Sequence, residues 1–309
     1  MTDEDNHLLV FNKPAGVLCQ PDRTKDPDLR SLVLAKLPTA YLALVHRLDR
    51  PASGCVLLAK SSKAAARLGR AFRDRTIGKV YLTIVEGRPT ERAAWLIDAM
   101  RSPANSERRS GKAIVDTFAV VPCAVQPLTS ASIEFEPPTS AMDACRETLM
   151  ASDRADDAES GHRTPRPAQL AALRYDLLHA TKDGTRSLLA VRLHTGRRHQ
   201  IRAQLAAHGH AILGDGRYGR KDGTSTLTTK LALHAVLLRL EHPIRGRGDL
   251  CVAAPIPAAW RQVCHGAARG LLEVALRLWD RAFGEGRTSA GYNNDRNNDH
   301  ADMPPMGTK

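Results

Sequence analysis

The sequence has few aromatic side chains and no long apolar run. Phe, Trp and Tyr make up 4% of the 309 residues, which argues against a surface that holds single strands by stacking many bases. No apolar run approaches the roughly 20 residues that span a bilayer, and the acidic residues 1–5 resemble neither a signal peptide nor a transit peptide. We therefore expect a cytoplasmic protein that does not associate with membranes.

Paired cysteines are also missing. The six cysteines lie far apart without a Cys-x-x-Cys pair, so neither a zinc knuckle nor a disulfide framework is indicated. Four histidines, His194, His199, His208 and His210, are the remaining candidate metal ligands. They form no His-x-x-x-His pair with a nearby acid, and the surrounding arginines would repel a cation. The sequence therefore predicts no metal site.

Acidic residues are in the minority. Lys and Arg number 45 against 33 Asp and Glu, which gives a formal net charge of +12. A basic surface of this size favours a polyanionic partner, of which nucleic acid is the obvious example. Charge therefore indicates the class of partner and leaves the chemistry open.

The most informative stretch is residues 41–60. Two apolar runs that read as strands, Ala43–Val45 and Cys55–Ala59, bracket a short polar loop. Within the loop, Asp49 stands between Arg47 and Arg50, and a proline and a glycine restrict the backbone that follows. Basic neighbours favour the ionised carboxylate, and a positioned carboxylate can act as a nucleophile or a base.

Other strands and one helix are predicted along the chain. Ser61 or Ser62 is predicted to cap a helix whose apolar residues fall on one face. Short apolar or alternating segments predict strands at Leu8–Asn12, Lys79–Gly87, Leu173–Leu178, Ser187–Leu193 and Leu231–Leu238.

A second helix is predicted near residue 200. Thr195 is the predicted N-cap of a helix that ends at about Ala207, with Ile201 and Leu205 on its buried face. Arg202 lies on the flank of that face. A guanidinium in such a place needs a carboxylate partner.

Two parts of the chain are weakly patterned. Residues from about 124 to 168 are turn-rich and then acidic with few apolar residues, and we expect a mostly flexible insertion there. Residues 258–283 predict an amphipathic C-terminal helix, and residues 284–309 predict a disordered tail.

Three motifs resemble those of the RluA-type pseudouridine synthases, which isomerise uridine in structured RNA. They are His46-Arg47-Leu48-Asp49 with Ser53-Gly54, Lys79-x-Tyr81-Leu82, and Thr195-Gly196-Arg197-x-His199-Gln200-Ile201-Arg202. Weaker matches are Asn-Lys-Pro-x-Gly at 12–16 and the Gly-Asp segment at 209–219, and the sequence departs from the family at Ala52 and Ala211. The Arg50-Pro51 pair is similar to the branch that acts on tRNA. The resemblance spans about Leu8 to Pro257.

The resemblance implies a fold, a reaction and site residues. The expected fold is α+β, a large mixed and mainly antiparallel sheet with a central catalytic cleft and flanking helices, formed by residues 1–257. The expected reaction cuts the N1–C1′ bond of a uridine and rejoins the base through C5, and it needs no cofactor. Asp49 would be the nucleophile or base, Arg202 its partner, and Tyr81 the residue that covers the base.

Further roles follow from the same motifs. Because chemistry on a base requires the base to leave the helical stack, Arg47 is expected to fill the gap. His46, Arg197, His199 and Gln200 are expected to bind substrate. We expect structured RNA, either rRNA or tRNA, as the partner of a monomer that needs no other protein.

Two rival functions are open to a protein with these motifs. An RNA-binding or RNA-chaperone protein could keep the fold without catalysis, although every polar residue of the motifs is intact. A glycosidase that releases free base would need a carboxylic acid partnered with Asp49, and we find no second acid in the motifs.

Overall fold

The computed structural model describes residues 3–37, 41–101, 119–127, 136–159, 168–219 and 230–260. Strands in these ranges form a single sheet whose main order is β1-β2-β4-β10-β5-β9-β8-β6-β7, with β3 added to β4 and β11 to β10. Only the β4–β10 pair is parallel among the described strand pairs. The expected α+β fold with a mixed, mainly antiparallel sheet is confirmed.

The strands have the following bounds: β1 Asp3–Glu4, β2 Leu8–Lys13, β3 Ala43–Leu44, β4 Ser53–Ala59, β5 Gly78–Glu86, β6 Ala93–Arg101, β7 Ala119–Pro127, β8 Gln169–Ala180, β9 Arg186–Leu193, β10 Leu233–Glu241 and β11 Asp249–Ala253. The predicted strands all overlap members of this set. Their side chains alternate between two sides of the sheet, as the two-residue period of a strand requires.

Four helices flank the sheet in the described ranges: α1 Leu29–Leu34, α2 Ser62–Arg73, α3 Thr139–Glu159 and α4 Gln200–Ala207. The predicted cap of α2 is confirmed, because the side chain of Ser61 accepts a hydrogen bond from the N–H of Ala64. Helix α2 buries Ala64 and Leu68 against β2, β4 and β10. Alternate residues of β4 belong to the main core, to which α4 contributes Ile201 and Leu205.

One close backbone approach joins the two halves of the sheet. Strand β4 meets β10 through two residue pairs, Ser53 with His234 and Gly54 with Ala235. Gly54 has φ +111°, and a Cβ at this position would overlap the backbone of Ala235. Glycine is therefore required here. Since β10 also pairs with β5, the loop before β4 is held close to the strand that carries Tyr81.

Helix α3 lies within the segment where the sequence predicted a mostly flexible insertion. Its first half packs on β6 and β8, burying Ala141, Met142, Cys145 and Leu149 against a group that includes Trp95. These four residues recur with helical spacing on one face. The prediction of flexibility is therefore corrected for residues 139–149: a few apolar residues suffice when they meet an apolar face of the sheet.

We expect Met142→Ala to lower the free energy of unfolding by about 2 kcal/mol, because it empties a buried site under α3. The matched change Glu147→Ala, at an exposed position of the same helix, should alter it by less than about 0.5 kcal/mol. Urea unfolding of both variants measures the difference. Equal effects would show that α3 does not pack on the sheet.

The remaining predicted segments fall largely outside the described residues. The C-terminal helix predicted at 258–283 lies beyond residue 260 for all but its first three positions, and the predicted tail at 284–309 lies wholly outside. Among the described residues, no helix is both long and apolar enough to cross a membrane.

Candidate active site

A cleft of about 1400 Å³ crosses the sheet near the β4–β10 joint. Its walls come from the loop before β4, the end of α2, the start of β5 and the loop between β9 and α4. The structure thus brings the three sequence motifs together. Every predicted site residue lines the cleft: Asp49, Tyr81, Arg202, Arg47, His46, Arg197, His199 and Gln200.

Hydrogen bonds from Lys13 hold the loop that carries Asp49. This lysine is fully buried, and its Nζ donates to the carbonyl oxygens of Pro14, Val17 and Arg50 at 3.0, 2.8 and 3.1 Å. The backbone N–H of Gly16 also donates to the Arg50 carbonyl. Burial lowers the pKa of Lys13 to about 8, although the charge of Asp49 opposes the shift. The Asp49 carboxylate therefore stands on a backbone with little freedom to move.

Arg202 faces two carboxylates. Its Nε and Nη2 donate to the two oxygens of Asp215 at 2.8 and 2.7 Å, whereas its Nη1 lies 3.4 Å from Oδ2 of Asp49. The short bidentate pair therefore belongs to Asp215, and the predicted partner Asp49 makes the longer contact. Burial lowers the pKa of Arg202, but the hydrogen bonds and charge of Asp215, together with Asp49, raise it overall.

Asp215 is held as an anion by its surroundings. It is buried, and Oδ1 also accepts from the backbone N–H groups of Arg217 and Tyr218 at 2.9 and 3.1 Å. Burial favours the neutral acid, but Arg202 and these two N–H groups outweigh it and lower the pKa of Asp215. Both oxygens of Asp215 therefore bind Arg202 and hold it in place. The remaining guanidinium nitrogen, Nη1, faces Asp49.

The predicted start of α4 is corrected by the structure. The helix begins at Gln200, its N-cap is His199 with φ 58°, and Thr195 does not cap it. Instead, Thr195 donates to Gln200 Oε1, which also accepts the N–H of Arg197, both at 2.9 Å. The capping pattern in the sequence was misleading because Thr195 is used to fold the loop.

Gln200 holds this loop rather than presenting its amide to the cleft. Besides the two bonds to Oε1, its Nε2 donates to the Ala172 carbonyl at 3.0 Å and to Gln204 Oε1 at 2.9 Å. The amide makes four hydrogen bonds within the protein, which is its full capacity. The amide therefore has no donor or acceptor left for a substrate, as the expected substrate-binding role would require. Its contact with the N–H of Arg197 instead positions that residue.

His199 lies between Asp49 and Tyr218. Its Nδ1 is 3.1 Å from the Tyr218 hydroxyl, and its Nε2 is 3.8 Å from Asp49 Oδ1. Burial lowers the pKa of His199 to about 4, despite the opposing charge of Asp49. The imidazole is therefore neutral at pH 7, and Arg202 supplies the positive charge beside Asp49. Tyr218 also lies under Arg202, with the guanidinium carbon 5.3 Å from the ring centroid.

His46 and Tyr81 are neutral parts of the cleft wall. His46 Nε2 accepts from the N–H of Leu57 at 2.9 Å, and its ring stacks on Phe72 at 4.7 Å. Burial, with a contribution from Lys79, lowers the pKa of His46 to about 3. For Tyr81, burial and then the charge of Asp49 raise the pKa. Tyr81 therefore offers an uncharged ring, and its hydroxyl keeps its proton.

The two arginines that flank Asp49 differ in their contacts. Arg47 is exposed and has no hydrogen-bond or ion-pair partner among the residues the structure describes. Arg50 instead pairs with Asp26 at 2.7 Å, and its Nε donates to the Gly16 carbonyl at 3.0 Å. Of the two arginines, Arg47 is therefore the one whose guanidinium can bind a ligand without first breaking an ion pair.

Two residues important to this geometry were not assigned from the sequence. Asp215 belongs to the Gly-Asp segment, and the need of a buried guanidinium for a carboxylate could have indicated it. Lys13 follows an apolar strand, and a lysine at a strand end beside a Pro-x-Gly turn is only a weak signal for burial. A firm assignment of either residue depends on which chain segments meet in the fold.

The arrangement places the Asp49 carboxylate in a cleft lined with cations and uncharged rings, and Asp22 is the other carboxylate among the lining residues. Within the described ranges, no three His, Cys, Asp or Glu side chains converge as metal ligands would. Such a positioned carboxylate beside Arg202 is the arrangement of a group that can act as a nucleophile or a base.

Comparison with known proteins gives the family. A family model described as RNA pseudouridylate synthase matches residues 7–207. Ribosomal large subunit pseudouridine synthase D of Zymomonas mobilis is 30% identical over 259 residues, covering 79% of this chain and 65% of that protein. tRNA pseudouridine synthase C of Salmonella typhi is 30% identical over 275 residues, covering 84% of this chain and 86% of that protein.

A solved structure agrees with these relatives in fold. Human RNA Pseudouridylate Synthase Domain Containing 1 superposes with a TM-score of 0.62 at 20% identity, covering 90% of this chain and 93% of that one. The chain therefore belongs to the RNA pseudouridylate synthase family, and within it to the RluA type. Members of this family are isomerases.

Proposed function

We propose that this protein converts uridine to pseudouridine in rRNA or tRNA, with Asp49 as the reactive group. The observation that carries the proposal is the set of contacts in which Asp215 holds Arg202 and Arg202 faces Asp49 within the cleft. In the reaction the N1–C1′ bond breaks, a C5–C1′ bond forms, and the proton lost from C5 is balanced by one gained at N1. No electron is transferred to or from the substrate.

The other residues of the cleft have distinct tasks in this proposal. Asp49 either attacks or deprotonates the ribose or adds to C6 of the base, and both courses use the same anion. Arg202 orients it through a charge-assisted contact. Tyr81 covers the base with an uncharged ring. Arg47 occupies the space that the flipped uridine leaves, a displacement that costs about a few kcal/mol.

The rival functions fit the geometry less well. A glycosidase would need a second carboxyl group able to donate a proton. Asp215, which holds Arg202, has a lowered pKa and four donors bound to its oxygens. Asp22, the other carboxyl group that lines the cleft, has a pKa lowered by hydrogen bonds from Thr24. An RNA-binding protein without catalysis would not require Lys13 to fix the backbone beside Asp49 and Arg202 to contact its carboxylate. We propose a monomer that acts in the cytoplasm without an obligate protein partner.

Mapping of pseudouridine in cells with and without this protein tests the proposal. We expect one or a few uridines of rRNA or tRNA to remain unmodified when the protein is absent, and to be modified again when wild-type protein is supplied. Supply of the Asp49→Asn variant should not restore them. Identical maps in the two kinds of cell would contradict the proposal and favour an RNA-binding protein without catalysis.

A further inference from the structure

A group of basic side chains in the cleft has no part in the chemistry described so far. Lys79 stands at the start of β5, Arg75 follows α2, and His194 precedes the loop that carries Arg197. All four line the cleft. We call Lys79, Arg75, His194 and Arg197 the basic cluster.

Lys79 makes a cation–π contact within the fold but no ion pair among the described residues. It is half-buried, and burial lowers its pKa. Its Nζ lies 5.5 Å from the centroid of the Phe72 ring and close to Gly196, where an added Cβ would be 3.9 Å away. Among the described residues, no oxygen accepts a hydrogen bond from this ammonium group. A partly desolvated cation without an acceptor is costly, which indicates that the acceptor is a ligand.

Arg75 keeps its side chain at a position that suits glycine. Its φ is 59°, and it directly follows the C-cap of α2, where the N–H of Thr76 donates to the Ala71 carbonyl. Glycine is preferred at such a helix end because it has no Cβ to strain. Besides Lys79, the cluster therefore contains an arginine at a position where the backbone conformation disfavours any side chain.

The contacts of His194 show how charge is distributed in the cluster. Arg75 Nη1 lies 3.2 Å from His194 Nε2, and since arginine can only donate, Nε2 is the acceptor. The ring proton is then on Nδ1, 3.2 Å from Glu136 Oε2. Burial, with Arg75, lowers the pKa of His194 although Glu136 opposes it. The basic cluster thus has three cations and one uncharged imidazole, and the acid beside it, Glu136, has a side chain that is 79% exposed.

We propose that Lys79 and Arg75 bind a phosphodiester of the RNA strand that carries the target uridine, with Gly196 allowing the strand to approach. This inference rests on the proposed function and adds a phosphate site beside the catalytic one. Phosphate suits the cluster because lysine provides a compact charge and arginine a fork that matches two phosphate oxygens. Arg197, whose Nε is held by the Leu170 carbonyl at 3.1 Å, adds charge from the other side of Gly196.

The test measures binding of unfractionated tRNA to the full chain over a salt series. Lys79→Met should reduce the slope of log K against log salt by about 0.7 to 0.9, which is about a sixfold loss of affinity at 0.1 M salt. Lys79→Arg should restore most of the slope. Lys63→Met, an equal charge change at an exposed position of α2 outside the cleft, should leave the slope at the wild-type value.

Stability measurements separate this role from a structural one. Lys79→Met should melt at the wild-type temperature or above, and Arg75→Gly should melt higher while binding tRNA more weakly. An unchanged slope in both variants, or an equal loss in Lys63→Met, would overturn the phosphate site. Failure of the proposed function would instead appear as unchanged pseudouridine maps, whatever the slopes.

Discussion

Asp49→Asn is expected to abolish pseudouridine formation and to leave both folding and RNA binding intact. The amide preserves size but cannot serve as a nucleophile or a base, so we expect turnover to fall by at least about 10⁴-fold. Arg202 keeps its bidentate partner Asp215 in this variant, so the free energy of unfolding should hardly change. Removal of a negative charge from a basic cleft should leave affinity for RNA at least as high as before.

Single-turnover kinetics beside a binding salt series measure these effects. The comparison variant is Arg47→Ala, which should lose turnover more than ground-state affinity because Arg47 is proposed to hold the flipped state. Measurable turnover by Asp49→Asn on the true substrate would remove Asp49 from the mechanism. An Arg47→Ala variant with weak binding and an unchanged rate at saturating enzyme would limit Arg47 to docking.

Asp215→Asn is expected to damage both stability and activity. The carboxylate and its partner Arg202 are buried together, with side-chain exposures of 0% and 6%, and removal of the Asp215 charge leaves Arg202 with only the longer contact to Asp49. We expect a loss of about 3 kcal/mol in the free energy of unfolding. Activity should fall sharply as well, because the guanidinium is no longer held towards Asp49.

Arg202→Lys provides the complementary measurement. A lysine cannot form the two parallel bonds to Asp215, so this variant should lose activity and stability too. Because both changes break the same contact, the double variant should be destabilised by clearly less than the sum of the single variants. Urea unfolding decides the matter. If Asp49→Asn destabilised the protein as much as Asp215→Asn, Asp49 would be the main partner of Arg202 after all.

The sequence predicted the elements that depend on local pattern. The strands on either side of Asp49, the cap at Ser61 and the strand of Tyr81 follow from apolar spacing and capping chemistry, which act over a few residues. The three motifs also predicted which residues line the cleft. These features were readable because each is encoded within one short stretch.

What was missed depends on contacts between distant segments. The hydrogen bonds of Thr195 are decided by Gln200 and by the Ala172 backbone on β8, and they override its local preference for capping. Helix α3 is weakly amphipathic by itself and is stabilised where it packs on β6. The choice of Asp215 over Asp49 as the close partner of Arg202 is set by differences of less than 1 Å, which no spacing in a sequence encodes.

The parallel pairing of β4 with β10 also limits how early during synthesis the enzyme can become active. Ser53 and His234 meet there although 181 positions separate them, and Asp49 and Arg202 are separated by 153. Contacts of such long range form late, since the entropy of closing a large loop must be overcome before they stabilise the chain. A nascent chain that ends before β10 has its basic loops but lacks the strand that joins β4 to β5. Such a chain can attract RNA before it can modify it, so catalytic competence arrives only after β10 has been synthesised.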